Sequence, residues 1–176
     1  MDQYARKFTL YPDTKAMQLG RESLREPGKF WIGTQSDGLH MLDMNNGILK
    51  KFKHNPKDEH SIGHNSVYGV LEDRSGNLWL GLGRAYSDGI MQGDKPGLAL
   101  LDQKTGRFKH YNIKGEQDNN LVYTIYEDQE GYLWLTTYWG GPFRFDKEKE
   151  TYKKYTLPGL EIIKWLFGIL TVINCG

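Results

Sequence analysis

The 176-residue sequence predicts an all-β protein built from about three copies of one four-stranded antiparallel unit. Three observations carry that expectation. The phrase Glu72-Asp73-Arg74-Ser75-Gly76-Asn77-Leu78-Trp79-Leu80 recurs as Glu127-Asp128-Gln129-Glu130-Gly131-Tyr132-Leu133-Trp134-Leu135, and a weaker copy, Pro27-Gly28-Lys29-Phe30-Trp31-Ile32-Gly33-Thr34, precedes both. Each Trp is followed by an apolar-Asp pair. Asp43 and Asp146 each stand twelve residues after their Trp, and Asp102 stands 23 after Trp79, so the middle unit carries an insertion of 11. Tyr, Trp and Phe are abundant and Gly reaches 21, a composition of strands joined by tight turns. Apart from insertions the period is about 44 residues, the range of four-stranded propeller blades. A closed ring uses about four to eight blades. The expected fold is therefore a partial β-propeller, an open fragment rather than a closed ring.

The elements follow in order. Phe8-Thr9-Leu10-Tyr11 reads as the last strand of a preceding blade, which with its linker occupies 1–18. A first blade spans 19–55. Its opening strand, Leu19 to Leu24, is degenerate because it holds Arg21 and Glu22, and a frayed or poorly matching strand is expected there. Arg25 stands where the turn Asp of the other units should be. The second blade spans 56–115, with strands at Val67–Asp73, Leu78–Gly81, Leu98–Asp102 and Arg107–Asn112, and an inserted loop between its second and third strands at 83–97. Its first turn holds Asp73, whose side chain can accept backbone N–H bonds, and Gly76, which supplies a positive φ. On the second strand Leu78 and Leu80 face one way, Trp79 and Gly81 the other. Both faces are apolar or small, as a sheet sandwiched between neighbours requires. The three Trp are thus expected in the core. A third blade spans 116–157. After Pro158 the pattern fails, and 158–176 is an off-pattern apolar tail. It reads either as the truncated or frameshifted end of a longer reading frame, or as a further first strand plus extension.

Composition excludes several classes. Lys plus Arg number 23 against 22 Asp plus Glu, so no basic excess points to nucleic acid or an anionic membrane. The single cysteine, Cys175, allows no internal disulfide and no Cys-based zinc site. No apolar stretch follows Met1–Lys7 as a signal peptide would need. The run Leu160–Ile173 includes Glu161 and Lys164 and is shorter than the ~20 residues of a spanning helix. No direct membrane contact is expected of this sequence.

Candidate chemistry is sparse. The Glu-Asp pairs are not an acid/base couple, because neighbours on a strand point to opposite faces and the pairs recur in equivalent turns. No Gly-x-Ser-x-Gly elbow occurs, and no catalytic residue is assigned. His54, His60 and His64 lie on an irregular Pro-containing loop without the fixed geometry of a zinc site, so neither metal nor cofactor is expected. In a meander the first-to-second and third-to-fourth turns emerge at one end. The second-to-third loops and the inter-blade linkers emerge at the other, and the long segments are all of this kind. Loops on a rigid scaffold are where binding groups concentrate. Arg84, Tyr86 and Asp88 of the insertion, with Tyr138 and Trp139 of the third blade, are the candidate ligand-binding residues. Their rings, guanidinium and carboxylate suit a sugar or other small polar ligand. Asp94 and Lys95 lie nearby in the same insertion.

The pattern Asn65, Val67, Val70, Glu72, Asp73, Gly76, Leu78, Trp79, Leu80, Gly81, then Gly97 and Leu98, then Leu101, Asp102, Thr105, Gly106, Phe108 and Tyr111 resembles the two-component regulator propeller repeat. The linker from Phe52 through Pro56 to Ser61 and Val67 is similar to that family's inter-blade segment, and the resemblance covers about residues 6–157. Leu82 and Thr136 depart from the repeat, where it has Thr and Gly. The resemblance implies a non-catalytic, ligand-sensing module from the periplasmic sensor region of a bacterial hybrid two-component histidine kinase. Its partners would be the remaining blades and the kinase part of a parent protein, a small polar ligand such as a carbohydrate fragment, and a second copy in a homodimer. Two other readings stay open: a propeller enzyme similar to streptogramin lyase, and a protein-interaction scaffold.

Overall fold

The computed structural model describes residues 17–43, 45–83, 93–113, 121–137 and 141–155. Every regular element among them is a strand, and the twelve strands form three antiparallel sheets of four. The first sheet runs β1 (Met17–Glu22), β2 (Lys29–Thr34), β3 (Leu39–Asp43) and β4 (Gly47–Phe52). The second holds β5 (Val67–Glu72), β6 (Leu78–Leu82), β7 (Gly97–Asp102) and β8 (Arg107–Tyr111). The third holds β9 (Val122–Glu127), β10 (Leu133–Thr137), β11 (Gly141–Asp146) and β12 (Thr151–Lys154). Each sheet is a simple meander with neighbours in chain order. The first strands β1, β5 and β9 lie side by side across the sheets. This is a row of three propeller blades, with the first strands innermost.

Two apolar layers hold the blades together. Between the first and second lie Trp31, Leu39, Met41, Leu78, Leu80 and Phe108. Between the second and third lie Trp79, Leu98, Tyr111, Leu133, Leu135, Phe143 and Phe145. The expected division of β6 holds, with Leu78 and Leu80 in one layer and Trp79 in the other. Trp31 and Trp79 are each 2% exposed, whereas Trp134 is only partly buried. Glycine sets the spacing of the sheets. A Cβ added at Gly33 would lie 2.7 Å from the Val67 carbonyl oxygen of the next blade, and one at Gly81 would lie 2.4 Å from that of Val122. Only a residue without a side chain permits that approach.

The first blade corrects two expectations. Its opening strand is not frayed: β1 pairs with β2 from Met17 to Glu22, with one irregularity between Met17 and Leu19. Arg25 is not the turn-Asp counterpart. Glu22 pairs with Phe30 as Glu72 pairs with Leu78, so Ser23 takes the place of Asp73 in a turn two residues longer. The backbone agrees, because Ser23 N–H donates to Lys29 O at 2.8 Å as Asp73 N–H donates to Asn77 O at 2.9 Å. Counting back from Gly28 misses the longer turn. The expected strand Phe8–Tyr11 and the tail 158–176 lie outside the described residues.

Candidate functional site

The loops divide between two ends of the blades as a meander requires. At one end Gly38 N–H donates to Asn65 O, Gly83 N–H to Ser66 O and Lys95 N–H to Gly63 O, tying second-to-third loops to the linker. At the other end Gln103 Nε2 donates to Gly76 O at 3.1 Å, third-to-fourth turn to first-to-second turn. The candidate ligand residues Arg84, Tyr86, Asp88, Tyr138 and Trp139 lie outside the described residues.

The three linker histidines do not converge. His54 places Nδ1 2.8 Å from Ile62 O, with Nε2 3.4 Å from Asp94. His64 Nδ1 accepts the Ser66 N–H at 2.9 Å, and His60 stands beside Glu59. No group of three or more metal-ligating side chains occurs among the described residues.

The Glu-Asp pairs join blades. Asp73 Oδ1 accepts the N–H groups of Ser75 and Asn77 at 3.0 and 2.8 Å, and Oδ2 accepts the Trp79 indole N–H at 2.9 Å. Asp128 repeats this with Trp134 Nε1 at 2.8 Å. Glu72 accepts the Leu24 N–H of the preceding blade at 2.7 Å, as Glu127 accepts the Arg74 N–H at 2.9 Å. Lys147 then bridges Asp73 at 3.1 Å and Glu127 at 2.7 Å. Burial pushes both carboxyls up, but these hydrogen bonds and the lysine outweigh it and hold both below the usual carboxylate range. Strand alternation separates the members of one pair. It does not show that Asp73 and Glu127, 54 residues apart in sequence, meet on one ammonium.

The innermost strands build a recess missing from the sequence reading. In each of β1, β5 and β9 the pairing skips one residue: Gln18, Tyr68 and Tyr123. A bulge re-aims the extra residue out of the ladder. Tyr68 and Tyr123 thereby meet edge to face, ring centroids 5.1 Å apart at 72°. With Arg21, Thr124 and the backbone of β5 and β9 they line a recess of about 640 Å³ on the inner surface. A signal was present, since Val67-Tyr68 and Val122-Tyr123 occupy the same place in two repeats. Strict alternation, however, assigns those tyrosines to a blade face. The recess offers two phenol rings, a guanidinium and a hydroxyl. None of its lining residues is a carboxylate, imidazole or thiol. It can stack on and hydrogen-bond a polar ligand, and it supplies no acid/base pair.

A family model described as two component regulator propeller matches residues 61–84 and 116–139. These segments carry β5–β6 and β9–β10, including both bulged tyrosines. No curated protein matches the chain. Among solved structures it is similar to the extracellular domain of the hybrid two component system BT3049 from B. thetaiotaomicron, with 22% identity and a TM-score of 0.64 over 81% of this chain and 18% of that one. The corresponding domain of BT4673 from the same organism gives 24% identity and a TM-score of 0.59, over 80% of this chain and 18% of that one. Virginiamycin B lyase from Staphylococcus aureus gives 16% identity and a TM-score of 0.57, over 84% of this chain and 43% of that one. The chain thus spans less than a fifth of the two B. thetaiotaomicron domains, and at these identities the likeness is one of fold. The chain is thus a row of three propeller blades in chain order, two of which carry segments that match the two component regulator propeller model.

Proposed function

We propose that this segment is a non-catalytic part of the ligand-sensing propeller of a bacterial hybrid two-component system, on the periplasmic or extracellular side, signalling to a histidine kinase outside this chain. The observation that carries the reading is the pair of bulged tyrosines, Tyr68 and Tyr123, presented with Arg21 at the inner recess. Blade geometry does not need those side chains there, because the bulges take them out of the packed layers. Flat rings beside a hydrogen-bonding cation suit a carbohydrate fragment or a similar polar molecule. The names of the B. thetaiotaomicron neighbours agree with a sensor role.

The experiment is a thermal-shift screen of the chain with mixed oligosaccharides, followed by titration of any hit. The expected result is a saturable rise in the unfolding midpoint. Tyr68→Ala or Tyr123→Ala should abolish it while leaving the unliganded midpoint within a few degrees. Binding that survives both substitutions would reject the recess. Turnover of a screened compound would instead support the enzyme reading, which the lyase-like fold keeps in play.

A further inference from the structure

We propose that Arg21 makes the inner recess selective for an acidic saccharide, a sugar ring carrying a carboxylate or sulfate that the guanidinium holds. This rests on the reading of the recess as the ligand site. Strand register supplies the first observation. On each innermost strand one residue stands opposite the Trp of the second strand: Arg21 opposite Trp31, Leu71 opposite Trp79 and Tyr126 opposite Trp134. Leu71 is buried in the apolar layer between the second and third blades. An apolar or aromatic residue thus fills this position in two blades, and an arginine fills it in the first. Arg21 is one of the two residues that make this strand look degenerate in the sequence, yet β1 pairs with β2 straight through it. Its charge adds nothing to the apolar layer, because Arg21 is exposed while Trp31 opposite it is buried. Its side chain lines the recess beside Tyr68 and Tyr123 instead.

The second observation is that Arg21 has no counter-charge. Arg25 faces Glu72 and Arg74 pairs with Glu127 across the blade junctions, and the Arg144 guanidinium lies 4.2 Å from the Tyr132 ring centroid. The Arg21 side chain has no hydrogen-bond or ion-pair partner among the described residues. Carboxylates near it in the fold are engaged elsewhere. Glu22 accepts the Gly28 N–H at 3.0 Å, and Glu72 accepts the Leu24 N–H at 2.7 Å. A guanidinium grips a carboxylate or sulfate through two parallel N–H···O bonds, each roughly twice as strong as a bond between neutral groups. The negative ring faces of the tyrosines repel an anion but accept the C–H face of a sugar. The oxyanion therefore goes to Arg21 and the sugar ring to Tyr68 and Tyr123. A neutral sugar in the same place would strip water from the guanidinium and return no charge, which sets the selectivity.

Titration calorimetry on the full chain tests this with matched probes: oligogalacturonate, a sulfated galactose oligosaccharide and the neutral galactose oligosaccharide. An acidic probe should bind about tenfold or more tighter than the neutral one. The preference should weaken as salt rises. Whether the carboxylate or the sulfate probe carries it identifies the bound group. Arg21→Leu, which installs the residue type of Leu71, should abolish the preference without lowering the unfolding midpoint. Should that variant unfold, Arg21→Gln takes its place with the same loss expected. Acidic binding that survives removal of the Arg21 charge would overturn the proposal. So would a neutral probe that binds as tightly as the acidic ones and is lost in Tyr68→Ala; that outcome leaves the recess standing as the ligand site. Absence of saturable binding by every probe would overturn the proposal too, and the wider oligosaccharide screen then decides the recess separately.

Discussion

A single hydrogen bond separates the first blade from the other two. Trp79 and Trp134 donate their indole N–H groups to Asp73 and Asp128. Trp31 is as deep as Trp79, but its Nε1 has no partner among the described residues, because Ser23, too short to reach it, stands at the Asp position. An unpaired buried donor costs about 1–3 kcal/mol. Asp73→Ala should therefore destabilise the chain by roughly 2–3 kcal/mol, since it orphans the Trp79 indole and two turn N–H groups together. Urea unfolding followed by tryptophan emission measures it, and a loss under half a kcal/mol would contradict the assignment. The sequence made the Asp and Trp legible as a turn and a core residue. It hid their bond, because the six-residue separation closes only once β5 and β6 are paired.

The next scale is the contact between elements. Gly81→Ala should cost more than an ordinary strand substitution, about 2 kcal/mol or more, because Val122 O is backbone and cannot swing aside. Chemical denaturation would show it, and a neutral outcome would mean that the second and third blades are not spaced as described. The linker that joins the first two blades is pinned to β8: Phe108 N–H donates to His60 O at 2.8 Å, and His110 Nε2 lies 2.9 Å from Ser61 O. Burial lowers the His110 pKa. The Ser61 carbonyl opposes that shift, and the nearby charges of Lys95, His54 and His60 reinforce it. A histidine that resists protonation when folded takes up a proton more readily when unfolded. Stability is then full above the unfolded value of about 6.5 and falls as pH drops through it. The unfolding midpoint should decline between pH 7.5 and 5.5, and His110→Asn should flatten that decline. Equal slopes in the two proteins would remove His110 as the cause. His54, His60 and His64 are conspicuous in the sequence as a cluster. His110 is not, because it enters the group only by strand pairing.

At the scale of the molecule, the second blade has both faces covered by described sheets, while the first and third are each covered so on one face. Stacked units draw stability from nearest-neighbour interfaces. Hydrogen exchange read by mass spectrometry should find the slowest amides in β6 and β7, with β2–β3 and β10–β11 opening sooner. Uniform exchange across all three sheets would mean that the blades open as one unit. The lysine latch crosses the same junction. Lys147→Met removes the cation that Asp73 and Glu127 share, with Arg74 still beside Glu127, and should lower stability by about 1–3 kcal/mol at pH 7. That loss should shrink as pH falls through and below the usual carboxylate range, where both groups, held low in the fold, protonate. A loss that does not change with pH would point to packing in place of charge.

The sequence by itself determined the second and third blades: their strands, their turns, the buried Trp79 and the end from which each loop emerges. These follow from local patterns, alternation within a strand and Asp and Gly in turns, which are legible in any one copy of the repeat. The tertiary structure decided what lies between blades. It moved the turn position from Arg25 to Ser23, brought Asp73 and Glu127 onto Lys147, and showed why Gly33 and Gly81 must be glycine. It also turned Tyr68 and Tyr123 into the recess. A one-residue bulge leaves no mark on composition or period, yet it reverses where a side chain points. Contacts between blades join residues about fifty positions apart, a distance over which no local pattern constrains geometry.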